Sequence, residues 1–336
     1  MSLSYAATVA REYVHRTAVA EVFVTDTSDT EGTYRVAAQL PRGHLMQEGP
    51  VLDFSLLVET VRQAAVCVSH LHLGVPLGLA FLFRDLDVQI DDADALRVGD
   101  RQAHLEVGTA LEARRTIGGR VTGVEFTGQI LVDGRAALTG RGSLMVMTPA
   151  EWKSLRGLGR RETLSAAEPL LPSPQPSPQP SAQPSAQTSA QPSARADPRT
   201  VGRRDPRNVV VSQVSLVPSS AGERRAESWL HVDTRHPYLF DHPLDHAPGN
   251  LLLEAARQSA AAAVSLSHGL QPSDLVVLAC TGSFDAFVEL DLPTQVVTQV
   301  AELTTRGAIV ACSTRTSILH AGRVAAQIDL TMGVTA

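Results

Sequence analysis

The hydrophobic positions of this chain follow the same order twice. Each half opens with short β-branched or alternating runs, continues with one long apolar segment of helical length, and ends with several strand-like runs. The two long segments span 52–71 and 249–268 and are apolar around nearly their whole circumference. Because a helix of that kind is buried on all sides, we expect each one to be wrapped by a sheet.

Strand-like runs outnumber helices in both halves. The alternation of apolar and polar residues predicts strands at 19–25, 35–40, 82–90, 104–111, 121–132 and 136–146, and again at 209–217, 229–232, 275–278, 283–290, 295–303, 309–319 and 323–331. One helix for each antiparallel sheet is the order of a hotdog fold. The predicted class is therefore α+β, a tandem double hotdog.

The two halves also share sequence. The string LLVETVRQAA at 56–65 lies over LLLEAARQSA at 251–260 at a constant offset, and a Ser-His pair follows each. The string ILVDGR at 130–135 likewise matches ILHAGR at 318–323. Such self-similarity indicates an internal duplication.

A segment of biased composition separates the halves. Residues from about 165 to 196 are mostly Pro, Ser, Gln and Ala, which cannot bury enough apolar surface to offset their ordering entropy. We therefore predict an N-terminal hotdog domain at 1–155, a disordered linker at 165–205, and a C-terminal hotdog domain at 206–336.

Composition narrows the classes of function. The 336 residues carry a net charge of -6, so nothing global suggests binding to nucleic acid. The three cysteines lie far apart in apolar segments, which argues against a disulfide framework or a zinc site. No signal peptide is recognised, and the longest apolar stretch, 251–266, is interrupted by Glu254, Arg257 and Gln258. We expect a cytoplasmic protein with no membrane partner.

Each buried helix carries a charged pair. Glu59 precedes Arg62 by three residues, and Glu254 precedes Arg257 in the same way, so each pair projects from one helical face. Burying such a pair is costly unless it is partnered. Each pair is either a structural ion pair or part of a site between the two helices, where the acid of one half faces a histidine of the other.

The second helix begins at Pro248-Gly249, where free backbone N–H groups present partial positive charge. Such a helix start can polarise a thioester carbonyl, although a tight loop would need the same residues for its shape alone. The preceding loop holds His236, Asp241, Asp245 and His246 around His242. Their spacing fits no zinc pattern, and we interpret the loop as one that orients His242.

The string HPYLFDHPLDHAPGNLLLEAARQ at 236–258 resembles the signature of AfsA-like proteins, and LVETVRQ at 57–63 with GVPLG at 74–78 is also similar to that family. The resemblance implies an acyltransferase that joins a β-ketoacyl chain on acyl carrier protein to dihydroxyacetone phosphate. It further implies the first step of γ-butyrolactone signal synthesis, which controls antibiotic production, with no cofactor and no metal.

The resemblance and the helix pairing together suggest roles for the polar residues. Glu59 or His242 would be the general base, Gly249 would hold the thioester carbonyl, and Arg257 would bind the phosphate or the β-keto oxygen. Arg62, Glu254 and His246 are further substrate-binding candidates. Because only the second half has a clear histidine at this place, we expect one working site per chain, with His44 as the only candidate partner for Glu254.

Two other functions stay open at this stage. One is an acyl-thioester dehydratase or thioesterase on the same fold, and the other is a non-catalytic ligand-binding regulator. Arginines on both sides of the linker could dock an acidic carrier protein or simply be solvated. The sequence also leaves open whether the duplicated chain pairs further as a homodimer.

Overall fold

The computed structural model describes residues 2–115, 119–167, 194–218, 223–306 and 309–334. Its three α-helices are α1 (Phe54–Leu71), α2 (Pro149–Ala167) and α3 (Gly249–His268). Helices α1 and α3 are the two long apolar segments predicted from the sequence. Most of the predicted linker, 168–193, lies outside the described residues.

The strands form one twelve-stranded antiparallel sheet in the order β1-β2-β4-β5-β6-β3-β9-β12-β11-β10-β8-β7. The first half contributes β1 (Val24–Thr30), β2 (Thr33–Leu40), β3 (Ala80–Ile90), β4 (Ala103–Arg115), β5 (Val121–Val132) and β6 (Arg135–Met147). The second contributes β7 (Ser215–Val217), β8 (Arg224–Trp229), β9 (Leu275–Phe284), β10 (Thr294–Arg306), β11 (Ile309–His320) and β12 (Arg323–Val334). Six strands and one wrapped helix in each half confirm the double hotdog.

The two halves meet along one strand pair. β3 pairs with β9 in antiparallel register, with Leu86 opposite Gly282 and Val88 opposite Cys280. The hydrogen-bonded sheet is therefore continuous across the halves, and α1 and α3 lie against it side by side. This arrangement brings the polar faces of both helices toward the line between the halves.

The duplication extends to individual hydrogen bonds. The side chain of Gln63 donates to the carbonyl of Glu21 and accepts from the amide of Phe23, at 2.7 and 2.8 Å. Gln258 in the second half donates to the carbonyl of Asn208 and accepts from the amide of Val210, at 2.6 and 3.0 Å. Each glutamine thus binds one backbone carbonyl and one backbone amide two residues further along, so the sequence repeat is also a structural repeat.

Several predicted boundaries differ from the structure. Residues 19–21 form a 3-10 turn instead of a strand, and the predicted strand 283–290 ends at Phe284. Helix α2 was not predicted, because its mixed charge and two glycines mask its period. The C-terminal half begins earlier than residue 206, since Val201 and Arg203 are buried within the predicted linker range 165–205.

Candidate active site

A cavity of about 300 Å³ lies between the halves and is lined by both. One part of its wall is aromatic and aliphatic and includes Phe81, Phe83, Leu252, Phe284 and Phe287. The other part is polar and includes His15, Arg16, Glu59, Arg62, His242 and Asn250. The cavity therefore joins an apolar surface suited to an acyl chain with a charged surface suited to a phosphorylated or oxyanionic group.

Glu59 is the centre of the polar part, and its side chain is fully buried. One carboxylate oxygen, Oε1, accepts from Arg16, Arg62 and Gln63 at 2.7–2.9 Å. The other, Oε2, accepts from Arg62 at 2.8 Å and from the Asn250 amide at 2.9 Å. We call these five residues the Glu59 cluster.

The surroundings of Glu59 keep it ionised. Burial alone would raise the pKa of its carboxyl, but the neighbouring charges of Arg16 and Arg62, with their hydrogen bonds, hold that pKa well below its usual range. The carboxylate is negative at neutral pH, and its lone pairs are already engaged. Glu59 is therefore a poor acceptor for a substrate proton.

Asn250 is a polar residue in the first turn of the apolar helix α3. Its hydrogen bond to Glu59 accounts for it, because this bond links the Glu59 cluster to the second half. No side chain caps α3, since its N-cap position is Pro248, which offers no side-chain acceptor. Gly249 and Asn250, the first two residues of the helix, line the cavity. An uncapped helix start beside a cavity can supply N–H donors to a developing oxyanion.

Two predicted histidines line the same cavity. His242 has a partly exposed ring, with Nδ1 3.4 Å from the Asp241 carboxylate. Asp241 itself accepts from the amides of Thr17 and Ala18 in the first half, at 2.6 and 2.9 Å. These two hydrogen bonds hold the loop of His242, in the second half, against the first half.

His246 lies at another part of the wall. Its Nδ1 is 2.7 Å from the Asp245 carboxylate, and its ring contacts those of Trp152 and Phe287. Burial lowers the pKa of His246, which the Asp245 hydrogen bond only partly offsets. The structure therefore brings together Glu59, Arg62, His242, His246 and Gly249 of the residues singled out from the sequence.

Glu254 and Arg257 do not belong to this group. They form a second, related set in which Glu254 accepts from Arg203, Arg257 and Gln258 at 2.5–2.9 Å. Arg203 also contacts Asp53 at 2.6 Å, and we call these five residues the Glu254 cluster. Arg257 lines a different cavity, of about 870 Å³, on the other side of the paired helices.

The expectation that Arg257 reaches a substrate beside Glu59 is therefore wrong in geometry. Arg257 in α3 is the counterpart of Arg62 in α1. It is therefore Arg62, and not Arg257, that lines the cavity beside Glu59. His44 does not partner Glu254 either, because it contacts Glu21 at 3.1 Å.

The two clusters differ at the helix starts. In α1 the N-cap residue Asp53 accepts from the amide of Ser55 at 3.0 Å and also binds Arg203. At the matching position of α3 stands Pro248, and no side chain caps that helix. The Asp53 carboxylate of the Glu254 cluster thus caps the start of α1, whereas no side chain of the Glu59 cluster caps the start of α3.

Sequence reasoning missed Arg16, His15 and Tyr238. The available signal was the duplication itself, because VHR at 14–16 aligns with VGR at 201–203. Tyr238 is fully buried and donates its hydroxyl to the Ser55 carbonyl at 2.7 Å. Burial holds the pKa of Tyr238 well above its ordinary value, so the hydroxyl stays a donor.

The arginines considered for docking a carrier protein have other roles. Arg156 is buried and binds Glu289 at 2.8 and 3.0 Å, and Arg160 binds Glu289 and Asp291 at 2.7 Å each. These pairs attach α2 to the second half. Arg203 is likewise buried in the Glu254 cluster, so none of these three is a free docking group.

The described parts of the chain hold neither a membrane-spanning helix nor a metal-binding group of side chains. No helix there is both long and apolar enough to cross a bilayer. In the same ranges, no three side chains of His, Cys, Asp or Glu are grouped so that they could hold a metal ion.

Comparison with known proteins places these features in a family context. The model of the A-factor biosynthesis hotdog domain, AfsA, matches residues 2–148 and 185–336. A 2-oxo-3-(phosphooxy)propyl 3-oxoalkanoate synthase of Streptomyces virginiae is 35% identical over 289 residues, which cover 85% of each chain. One from Streptomyces coelicolor is 32% identical over 252 residues, which cover 74% of this chain and 69% of that protein.

Among solved structures, an acyl-CoA thioesterase II of Mycobacterium marinum overlaps 97% of both chains at 12% identity and a TM-score of 0.42.

Proposed function

Because this chain belongs to the AfsA family of A-factor biosynthesis hotdog proteins, we propose that it is a 2-oxo-3-(phosphooxy)propyl 3-oxoalkanoate synthase. The hydroxyl oxygen of dihydroxyacetone phosphate attacks the thioester carbonyl of a β-ketoacyl carrier protein. A carbon–oxygen bond forms, the carbon–sulfur bond breaks, and the hydroxyl proton leaves with the free carrier thiol. The product is a phosphorylated β-ketoester, the first intermediate of a γ-butyrolactone signal.

The cavity beside Glu59 supports this proposal more than any other single feature. Its aromatic wall suits the acyl chain, and its polar part suits a phosphate ester. Arg62 is the cluster arginine with the more accessible side chain, 21% exposed against 7% for Arg16. We assign Arg62 to the phosphate or the β-keto oxygen. Its Nε and Nη2 bind Glu59, and within the described residues no hydrogen bond engages its Nη1, which can donate to a substrate oxyanion.

The start of α3 is assigned to the thioester carbonyl. Gly249 and Asn250 line the cavity, and no side chain caps the first amides of this helix. Preorganised donors of this kind stabilise the tetrahedral oxyanion and are worth roughly 3 kcal/mol of barrier each. The equivalent start of α1 is blocked by Asp53, which supports one working site per chain.

Glu59 is assigned a positioning role in place of the base. Its carboxylate fixes Arg16 and Arg62 and orients Asn250 at the start of α3. A carboxylate that already accepts from four side chains has little remaining basicity. The proton acceptor is therefore an imidazole, of which the cavity offers His15, His242 and His246.

The remaining assignments follow from the proposed substrates. The acyl chain arrives on acyl carrier protein, and no cofactor is needed for an acyl transfer of this type. Carrier protein and dihydroxyacetone phosphate are both made in the cytoplasm, which we propose as the site of action.

The test is incubation of the purified full chain with a β-ketoacyl carrier protein, or its N-acetylcysteamine thioester, with and without dihydroxyacetone phosphate. Mass spectrometry should detect the phosphorylated β-ketoester only when both substrates are present. A thioester with no β-keto group and glycerol 3-phosphate serve as matched substrate controls.

Two results would overturn the proposal. Hydrolysis or dehydration of the thioester at the same rate without the phosphate compound would indicate a thioesterase or dehydratase. Binding of the thioester with no turnover under any of these conditions would indicate a non-catalytic regulator that binds the acyl chain in this cavity.

A further inference from the structure

The backbone at His15 is unusual for a residue with a side chain. His15 has φ 52 and ψ 52, in the left-handed region, directly after the 3-10 helix Arg11–Val14. Side chains are disfavoured there because Cβ crowds the backbone. A histidine held in that conformation beside a cavity is an observation that points toward function.

The matching position of the second half holds glycine, Gly202. Gly202 precedes Arg203 just as His15 precedes Arg16, and its φ of 69 is also left-handed. A Cβ at Gly202 would lie 2.7 Å from the Pro272 carbonyl oxygen. The fold thus uses glycine at this turn in one half and a strained histidine in the other.

Hydrogen bonds fix the protonation pattern of the His15 ring. His70 Nδ1 lies 2.7 Å from the Val75 carbonyl oxygen, which can only accept, so this nitrogen carries a proton. Burial lowers the pKa of His70, so its Nε2 is an unprotonated acceptor. His15 Nε2 lies 2.9 Å from it and must donate. The lone pair of His15 is therefore on Nδ1.

That lone pair is available for chemistry. The ring of His15 lines the cavity, and in the described part of the chain no side-chain or backbone donor is hydrogen-bonded to its Nδ1. The ring of Phe81 packs edge to face against the rings of His15 and His70, with centroid distances of 5.2 and 5.3 Å, and so restrains their orientation. Arg62 and His242 are close enough to influence its charge.

We propose that His15 is the general base of the acyl transfer and that His70 is the residue that positions it. This assignment rests on the acyl transfer proposed above. His15 directly precedes Arg16 of the Glu59 cluster, beside the arginine assigned to the phosphate. His242 and His246 place Nδ1 against the neighbouring carboxylates of Asp241 and Asp245, which leaves Nε2 as their open nitrogen. We choose His15 because it lies next to Arg62 and because its strained backbone holds the ring at the cavity.

The proton balance is simple. His15 Nδ1 takes the proton of the acceptor hydroxyl while the oxygen attacks the thioester carbonyl. The imidazolium that forms still donates from Nε2 to His70, which stabilises its charge, and it returns the proton to the leaving thiolate. No other reactant is required.

The charge state of His15 agrees with this role. Burial, and then the nearby charge of Arg62, lowers the pKa of His15 to about 4, so the free ring is unprotonated at neutral pH. A phosphate bound beside Arg62 opposes the arginine's share of that shift. The ring therefore becomes more basic when the acceptor substrate is bound.

The test uses His15→Gly, because glycine adopts the left-handed turn without strain. We expect kcat to fall at least ~100-fold with the KM values of both substrates within a few-fold, and added imidazole to restore turnover in a saturable manner. Glu31→Gly is the matched control, since Glu31 is exposed, has φ 53 and lies in the β1–β2 turn. Its activity should equal that of the parent.

Two further variants keep the test decisive. His15→Asn retains a residue that tolerates left-handed φ but removes the base, so it decides the matter if the glycine variant does not fold. His242→Asn should change KM more than kcat. Unchanged kcat in His15→Asn, or a loss of kcat found only in His242→Asn, overturns the role of His15. Absence of product in the parent protein would instead count against the acyl transfer itself.

Discussion

Asn250 at the start of α3 donates to the Glu59 carboxylate of α1 across 2.9 Å, and this bond crosses from one half of the duplicated chain to the other. It couples two parts of the candidate site. The amides assigned to the oxyanion are held in register with the arginines assigned to the phosphate.

Asn250→Ala should lower kcat/KM about 10-fold while the protein stays folded. Glu59 keeps its bonds to Arg16, Arg62 and Gln63, so only about 1 kcal/mol of stability is at stake. Steady-state kinetics and chemical denaturation measure the two effects. A variant that is less stable but keeps the kcat/KM of the parent protein would show that the bond is only structural.

Arg62→Gln and Arg257→Gln should have different effects although the residues are counterparts. Arg62→Gln should raise KM for dihydroxyacetone phosphate at least ~10-fold, because a charged hydrogen bond to phosphate is worth roughly 1.5–3 kcal/mol. Arg257→Gln should lower stability and leave that KM unchanged. The measurement is KM for each substrate on folded enzyme, and equal KM shifts in both variants would contradict our assignment of the two cavities.

Stability should decrease as pH falls from about 6.5 toward 4. Burial lowers the pKa of His15 and of His236 to about 4 in the folded protein, while the unfolded side chains titrate near 6.5. The unfolded chain therefore binds more protons over this interval, and protonation favours unfolding. Above pH 6.5 these two groups contribute no pH dependence.

Denaturant titrations at several pH values test this sign. His236→Asn should make the pH dependence shallower, because one of the two groups that cause it is removed. A stability that rose on acidification through this range would refute the assignment of buried neutral imidazoles.

Arg156→Leu should destabilise the protein by roughly 2–4 kcal/mol. Glu289 is fully buried and would lose one of its two arginine partners, and an uncompensated buried charge is costly. Lys153→Ala, on an exposed position of the same helix, is the matched control. Thermal unfolding followed by circular dichroism distinguishes the two, and equal melting temperatures would show that α2 is not held by this ion pair.

Much of the fold could be predicted from the sequence because its signals are strong and repeated. The apolar helices α1 and α3 begin within two residues of their predicted starts, and the shared LLVETVRQ and LLLEAARQ strings identify the duplication. Helix α2 was not predicted, because its mixed charge and two glycines mask its period and its Arg156–Glu289 contact joins it to a loop 133 residues away. No local pattern reports such a contact.

The candidate site was predicted only in part, for a related reason. Glu59, Arg62, His242 and Gly249 lie in recognisable strings and were found. Arg257 was misplaced because a duplicated sequence gives no sign of which copy faces which cavity. His15 was missed because the match of VHR to VGR hints only at the left-handed turn, and the hydrogen bond to His70 has no sequence signature.

The contrast between Asp53 and Pro248 also bears on why a fused chain is useful. In a dimer of identical subunits every substitution occurs twice, so a residue that closes one interface pocket closes its twin as well. Joining both copies in one polypeptide removes that constraint. One helix start can then be closed by a capping carboxylate for stability while the other is left uncapped for binding, and the two halves keep the same fold.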